Sequence, residues 1–541
     1  MATPFTQFTH WRTVAAAALL FASAAHTVAA QHPAGRELTA DEQVLHALNR
    51  LTYGPRPGDA ARIRAMGVDR WIAQQLDPAS VPDTAAERLL APYAMLQADP
   101  AEVTAWYRQV VQMRRAAARD SAPSQGNGPR RAPTDAQAKL REAVTDVESA
   151  KLVRAVASER QLEELLADFW ANHFSVFKGK GQTRLYLAHY DREVIRPHAM
   201  GKFRDLLGAV AKSPAMLFYL DNARSVAERP GRPRGLNENY ARELLELHTL
   251  GVDGGFTQQD VREVARAFTG WTIEPREGEF VFRPAAHDRE AKTVLGKQLR
   301  ANRGIEDGEE VLDLVARHPA TARHVARKLV MRFVSDSPPP ALVARVAATF
   351  TRTDGDIRAT VETIVKSPEF FSRAAYHTKV KTPFELVASA ARALGAQPDT
   401  TPRTAQLIAR LGQPIYGHQA PDGWPDSGEE WMNAGAILAR INFGLLAAGG
   451  RLPGARLQQW PALSRVRAAR GEERVDIVIA ELLGGTVSRE TREILTTGAN
   501  PLAARAPMAA DSLAVNARGL RLDDLQQVVG LALGAPEFQR R

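Results

Sequence analysis

The sequence predicts a mainly α-helical fold, with a large multi-helix globular body and a small β-hairpin region near residues 271–296. Apolar residues recur at i, i+3 and i+4 along most of the 541-residue chain. Turns rich in glycine and proline separate these segments into helices of ordinary length. The chain has no cysteine, so a packed core must provide stability without disulfides or thiolate metal sites.

Residues 1–30 have the pattern of a secretory signal peptide. Arg12 supplies a positive charge, Val14–Ala25 an apolar segment, and Val28–Ala30 small residues suited to cleavage. This segment is too short for a membrane span, and no twin arginine precedes it. We therefore expect export by the general secretory route to a periplasmic or extracellular location. We expect no transmembrane segment after signal removal, since no later apolar run is long enough to cross a bilayer.

The remaining chain is expected to form one or two helical units. The main helical domain should cover residues 31–395, interrupted by a disordered insertion at 117–137 that is rich in Ser, Pro, Gly and Arg. A C-terminal helical region should follow over residues 396–541, either as a separate unit or as part of the same body.

The net charge of +9 predicts a basic surface. Basic residues are spread along the chain and do not alternate with aromatic residues, as they would in a nucleic-acid site. Export also argues against such a partner. We therefore expect a solvated basic surface and no nucleic acid.

One region has strand-like patterning. Trp271–Pro284 is typical of a β-hairpin, and Lys292–Gly296 adds a further short strand. His287 and Asp288 lie in the loop between them. A His-Asp pair can supply half of a metal site, and with Asp426 these residues are our candidate metal ligands. The alternative is that Asp288 only orients its neighbour.

The segment Gly235–Gly251 concentrates carboxylate, amide, guanidinium and imidazole groups. We expect a single α-helix that starts with Asn237 as its N-cap and ends at Gly251 in the left-handed conformation. Glu243 and Glu246 then lie three residues apart on one face. If the protein has a chemical site, we expect it on or against this helix.

Two interpretations of this helix stay open. In the functional one, Glu243 and Glu246 are paired carboxylates for acid–base chemistry or for a hard cation, and neighbouring amides orient a ligand. In the structural one, a Glu-Arg-Glu ladder stabilises the helix and His248 is half-buried. A zinc site on this helix alone is disfavoured, because His248 diverges from the acids. The catalytic candidates are Asn239, Arg242, Glu243, Glu246 and His248.

Other segments supply candidates for substrate binding. His173 aligns with the apolar face of the helix Gln161–Trp170, so it is either a hydrogen-bonded core residue or a ligand. The loop Pro421–Trp431 combines four acids with two tryptophans, which suits a cation or a stacked sugar ring, although its spacing is not that of an EF-hand. The candidates for substrate binding are Asn172, His173, Asn237, Asp422 and Trp424.

Several motifs occur in a characteristic order. They are LNRLTYGPRPGD, FWANHFSV, SPAMLFYLDN, GLNENYARELLELHTLGVDGGFTQQDVREVARAFTGWT, HD followed by K and VLG, KVKTPFELV and PDGWPD. Together they resemble the large bacterial family catalogued as domain of unknown function 1800, over nearly all of the chain after residue 41. The signature polar positions that the chain matches are Asn172, His173, Asn237, Glu238, Asn239, Arg242, Glu243, His248, His287, Asp288, Asp422 and Trp424.

This resemblance implies neither an activity nor catalytic residues. It implies an exported bacterial protein, often encoded beside another uncharacterised exported family that is similar to alkaline-phosphatase-fold enzymes. By association, that neighbour is a candidate protein partner in the cell envelope.

Two functions stay open at this point. The first is an envelope hydrolase that depends on carboxylates or on a divalent metal and acts on polysaccharide, peptidoglycan fragments or phosphoesters. The alternative is a non-catalytic helical scaffold or binding partner of an exported enzyme. The cofactor is unknown. A nucleophilic serine is not indicated, because the Gly-x-Ser-x-Gly motif does not occur.

Overall fold

A computed structural model describes residues 35–120, 134–228, 235–498 and 524–541. Over these ranges the chain is mainly helical and has two small antiparallel sheets, which confirms the predicted fold class. In the same ranges, no helix is long and apolar enough to cross a membrane. The predicted signal peptide lies outside the described residues, as does the middle of the predicted insertion. Residues 117–120 and 135–137, at the two ends of this predicted insertion, are helical, and the insertion itself stays a prediction.

Most helices are short and amphipathic. In the first half of the chain they are α1 Ala40–Leu51, α2 Asp59–Met66, α3 Val68–Gln75, α4 Thr84–Leu90, α5 Pro100–Asp120, α6 Asp135–Ala157, α7 Gln161–His173, α8 Leu187–His189, α9 Phe203–Lys212, α10 Pro214–Tyr219, α11 Asn239–Glu243 and α12 Gln258–Ala267. In the second half they are α13 Glu306–Ala316, α14 Pro319–Phe333, α15 Pro340–Arg352, α16 Ile357–Val365, α17 Pro383–Ala393, α18 Arg403–Arg410, α19 Ala434–Ala448, α20 Leu463–Ala468, α21 Gly471–Leu482, α22 Arg489–Thr497, α23 Asp524–Gly534 and α24 Pro536–Gln539. Two π-helical turns, Tyr190–Ile195 and Leu244–Thr249, extend α8 and α11.

The β-like region forms two separate hairpins. Strand β1 (Trp271–Ile273) pairs with β2 (Phe280–Phe282), as predicted. Strand β3 (Lys292–Val294) does not join this sheet. It turns back at once into β4 (Lys297–Leu299), because Leu295 and the glycine after it both adopt positive φ in a tight two-residue turn.

A continuous apolar core runs through both predicted regions. Its buried residues extend from Leu38 to Phe538. Helix α17 packs on α6, and α19 packs closely on α23, where a Cβ added to Gly444 would lie 2.4 Å from the carbonyl oxygen of Gly530. The first contact lies within the predicted main domain and the second within the predicted C-terminal region. The division into a main domain and a C-terminal region stays a prediction.

The segment before α17 pairs with residues 539–541. Backbone hydrogen bonds link Lys379 with Arg541 in both directions, at 3.2 and 2.8 Å, and the amide of Lys381 donates to Gln539 at 2.9 Å. This pairing places the Arg541 side chain inside the molecule, where it is 4% exposed. A buried guanidinium needs a nearby acid.

Glu385 is that acid. It completes a capping box with Thr382 at the start of α17, so its position is set by the local sequence. One carboxylate oxygen lies 2.6 Å from Arg332 Nη1 of α14 and 3.3 Å from Arg541 Nη2. Burial alone would raise the pKa of Glu385, but the two arginines outweigh it and lower the pKa to about 2.

We predict that Glu385→Gln strongly destabilises the fold, because two buried guanidinium groups lose their counter-charge. The expected loss is about 3–5 kcal/mol in the free energy of unfolding, measured by urea denaturation at pH 7. The matched control is Glu362→Gln, which breaks an exposed pair with Lys366 and should cost less than about 1 kcal/mol. Equal losses in the two variants would contradict this account of Glu385.

Candidate functional site

The helix expected over residues 235–251 changes type midway. An α-helical turn at Asn239–Glu243 continues as a π-helix over Leu244–Thr249. The wider turn alters which side chains face inward, so His248 is fully buried and Leu247 is only half-buried. The predictions of one uniform α-helix and of a half-buried His248 are therefore wrong. π-Helical turns often occur at functional sites.

Both ends of this helix are close to prediction. The helix begins at Asn239, and the side chain of Asn237 accepts the amide hydrogen of Asn239 at 3.0 Å, so it caps the helix from one position earlier than the usual N-cap. Asn239 itself is exposed, and the nitrogen of its side-chain amide, Nδ2, lies 3.4 Å from the carbonyl oxygen of Leu220. Gly251 follows the helix with a φ of 85°, as expected.

Glu243 and Glu246 do not belong to an ion-pair ladder. Arg242 lies 3.6 Å from Glu238 and donates to Gln258 at 2.8 Å, so its guanidinium points away from Glu246. Within the described ranges, neither Glu243 nor Glu246 lies within 4.0 Å of a basic nitrogen. Both side chains are partly buried. Burial, then Glu246, raises the pKa of Glu243, and Asp422 adds to this effect.

The loop Pro421–Trp431, which we call the acidic loop, carries Asp422, whose charge acts on Glu243. We call Glu243, Glu246 and Asp422 the acidic cluster. Burial, then Glu243 and Asp422, raises the pKa of Tyr219 to about 12. The Tyr219 hydroxyl donates to the carbonyl oxygen of Gln419 at 2.7 Å. Asp422 thus contributes to the electrostatic environment of Glu243.

The acidic loop is fastened to the end of α7 by Asn172. The Asn172 amide nitrogen donates to the carbonyl oxygen of Trp424 at 2.8 Å, and the Trp424 amide donates back to Asn172 Oδ1 at 2.7 Å. Gly423 has a φ of 78°, and a Cβ there would lie 2.3 Å from the carbonyl oxygen of Asn172. Only glycine permits this approach. Asn172 is therefore the anchor of the loop that carries Trp424 and Asp422.

A polar cleft opens beside this anchor. Its volume is about 60 Å³. The lining side chains that matter below are Asp168, Asn172, Arg332, Tyr416, His418, Trp424 and Asp426. The His418 ring lies tilted against that of Trp424, with ring centres 4.6 Å apart, and its Nε2 lies 2.9 Å from Asp422. His418 thereby connects the cleft with the acidic cluster.

His173 and His248 lie in the interior. His173 is 2% exposed, and its Nε2 lies 3.1 Å from the carbonyl oxygen of His248. Burial, then Lys328, lowers the pKa of both histidines, that of His248 to about 3. Both rings are therefore neutral at pH 7. Their burial favours a structural role for His173 and His248 over contact with substrate.

The side chains of His287 and Asp288 have different partners. His287 Nδ1 lies 2.8 Å from the carbonyl oxygen of Thr269, and Nε2 lies 3.3 Å from Asp307. Asp288 accepts two hydrogen bonds from Arg266, at 2.8 and 3.1 Å. Asp426 lines the cleft, so the structure does not group these three proposed metal ligands. Within the described ranges, no three His, Asp or Glu side chains form a group that could hold a metal ion.

Sequence reasoning missed four of these cleft residues, Asp168, Arg332, Tyr416 and His418. None lies in a recognisable chemical motif. The one available signal was Arg332, an arginine close to the buried Val330 and Phe333 of α14. A charged residue at such a position requires a buried partner.

The chain matches the family model described as protein of unknown function (DUF1800) over residues 46–540. It therefore belongs to this family, as its ordered motifs predicted. No curated protein and no solved structure matches the chain.

We predict that Asn172→Ala loosens the acidic loop, because two hydrogen bonds to Trp424 are lost. Hydrogen–deuterium exchange at residues 421–426 should become faster by about tenfold or more. Asn433→Ala is the control, since it removes the cap of α19 and should accelerate exchange there only. Unchanged exchange at residues 421–426 would show that Asn172 does not anchor the loop.

The buried histidines should make the fold sensitive to acid. Below about pH 6.5 the unfolded chain protonates His173 and His248, while the folded chain keeps them neutral. The free energy of unfolding should therefore fall as the pH falls, by about 1.4 kcal/mol per pH unit for each histidine. His248→Leu should remove one such contribution between pH 5.5 and 4.5, when the free energy of unfolding is measured by urea denaturation. If this free energy falls equally steeply with pH in the parent protein and in His248→Leu, the prediction is refuted.

Proposed function

We propose that this member of the DUF1800 family is an exported hydrolase of the cell envelope whose chemistry is carried out by the acidic cluster. The observation that supports it most is the environment of Glu243. This carboxyl group is partly buried, lies outside ion-pairing distance of any described basic side chain, and has Glu246 and Asp422 as acidic neighbours. Acids gathered in this way, with no ion pair to Glu243 or Glu246, favour a chemical role over a purely structural one.

The roles of the carboxyl groups follow from their environments. The raised pKa of Glu243 keeps its proton to a higher pH than an ordinary glutamate does, which suits a general acid. A neighbouring acid, Glu246 or Asp422, can act as the general base that takes a proton from water as the water oxygen attacks the scissile bond. Glu243 gives its proton to the departing oxygen, so that one water molecule is consumed for each bond broken.

The cleft supplies a place for substrate beside this chemistry. His418 contacts both the cleft residue Trp424 and Asp422 of the acidic cluster. Trp424 offers an aromatic face for a sugar ring or an apolar side chain. A substrate seated in the cleft would thus lie next to the carboxyl groups.

Glu243→Gln and Glu246→Gln should each reduce hydrolysis at least 100-fold, because each removes a proton-transfer group. Their melting temperatures should stay within about 2 °C of the parent protein, since neither acid has an ion-pair partner to lose. Activity would be measured against peptidoglycan fragments, polysaccharides and phosphoesters. Glu238→Gln, which removes the same charge one turn earlier, is the matched control and should remain active.

Retained activity in the Glu243 and Glu246 variants would overturn the proposed catalytic roles. The alternative function, a helical scaffold for an exported enzyme, would be supported if the parent protein hydrolyses none of these substrates and co-purifies with a stoichiometric partner. Elemental analysis of the purified protein tests whether a divalent metal takes part.

A further inference from the structure

The cleft contains a guanidinium edge that no protein group occupies. Arg332 Nη1 donates to Glu385 at 2.6 Å, but Nε and Nη2 are buried and have no hydrogen-bond partner. The side chain is only 6% exposed. Nε and Nη2 form the side of a guanidinium group that binds a carboxylate through two parallel hydrogen bonds. Arg332 therefore presents a preformed fork to a missing anion.

A second unused donor lies in the same cleft. Tyr416 is 9% exposed, and its hydroxyl is buried without a partner. Burial raises the pKa of Tyr416, so the hydroxyl keeps its proton and can donate it to an anion. A buried donor left unpaired costs about 1–3 kcal/mol, so two such residues facing one cleft call for a ligand that pairs them.

The charges around Arg332 permit an anion. Burial would lower the pKa of Arg332, but Glu385 outweighs it and keeps the guanidinium charged. Asp168, an acid of the cleft wall, is paired with Lys151 at 2.7 Å. Glu385 is itself shared with Arg541, so one carboxylate serves two guanidinium groups. Asp426, a further acid of the cleft wall, acts on both arginines through its charge but accepts no hydrogen bond from Nε or Nη2 of Arg332.

The cleft is small. Its volume of about 60 Å³ is enough for a few water molecules and for a carboxylate group. The rest of a larger ligand would extend outwards past Trp424 and His418, towards the acidic cluster.

We propose that the cleft binds a carboxylate group of the ligand, held by Nε and Nη2 of Arg332 and by the hydroxyl of Tyr416. The binding site itself does not depend on the proposed function. Only the identification of the bound molecule as the substrate of the acidic cluster rests on it. The substrate class is then a carboxylate-bearing envelope polymer or its fragment. The carboxylate comes either from a uronic acid or from the end of a peptide.

Binding to the full-length mature protein tests the inference directly, without any assay of hydrolysis. The probes are D-galacturonate and the dipeptide D-alanyl-D-alanine, measured by isothermal titration calorimetry. Their controls are D-galactose and the amidated dipeptide, which lack the carboxylate. At least one charged probe should bind with a Kd about tenfold or more below that of its neutral control. The charged probe with the larger difference identifies the source of the carboxylate. Equal binding, or none in either arm, would overturn the inference.

Two variants locate the bound carboxylate. Tyr416→Phe removes a hydroxyl that has no protein partner, so it should leave the melting temperature unchanged and weaken binding of the charged probe about 5- to 10-fold. Arg332→Lys keeps a cation for Glu385 but loses the fork, and should weaken binding by about 50-fold or more. Tyr240→Phe is the matched control, because its hydroxyl is also buried and unpartnered but does not line the cleft. It should bind as the parent protein does.

The two proposals fail in different ways. If Tyr416→Phe and Arg332→Lys bind the charged probe normally, the carboxylate site is refuted, whatever Glu243→Gln does to hydrolysis. If these variants lose binding as expected, the site stands even where Glu243→Gln has no effect on hydrolysis, and that second result overturns the catalytic role of Glu243.

Discussion

The shared carboxylate of Glu385 is the interaction on which the rest of the site depends. It joins α14, α17 and Arg541, three parts of the chain that are distant in sequence. A buried carboxylate between two guanidinium groups is stable only if all three keep their positions, because any one left alone is an unpaired buried charge. Because Glu385 accepts a hydrogen bond from Nη1 of Arg332, it also fixes the orientation of the Nε and Nη2 edge of that guanidinium group.

The candidate site is assembled from two neighbouring features, each held by backbone geometry. The cleft depends on α14 and α7, and the acidic cluster on the helix around Glu243. The loop around residues 418–426 joins them, because Asn172 holds Trp424 while His418 reaches Asp422. Movement of this loop would change the cleft and the acidic cluster together. Trp424 and Asp422 therefore lie on one loop although the first belongs to the cleft and the second to the acidic cluster.

Local patterns predicted local structure well. Helical periodicity gave the fold class, and strand-like patterning gave the hairpin of β1 and β2. The failures have physical reasons. A period of 3.6 residues cannot anticipate the π-helical turn that buries His248. Which edge of the Arg332 guanidinium group lacks a partner depends on which of its nitrogens donates to Glu385. These two residues lie 53 positions apart in the sequence. No local pattern encodes such a contact, so the cleft could not be predicted from the sequence.

We infer that Glu385 holds Arg332 by one nitrogen and leaves the other edge for a ligand carboxylate. The decisive measurement is a high-resolution crystal structure of the protein soaked with D-galacturonate and with D-alanyl-D-alanine. We expect a carboxylate within about 3 Å of Nε and Nη2 of Arg332 and of the Tyr416 hydroxyl. A structure in which a protein carboxylate fills that edge, or in which both probes bind elsewhere, would contradict it.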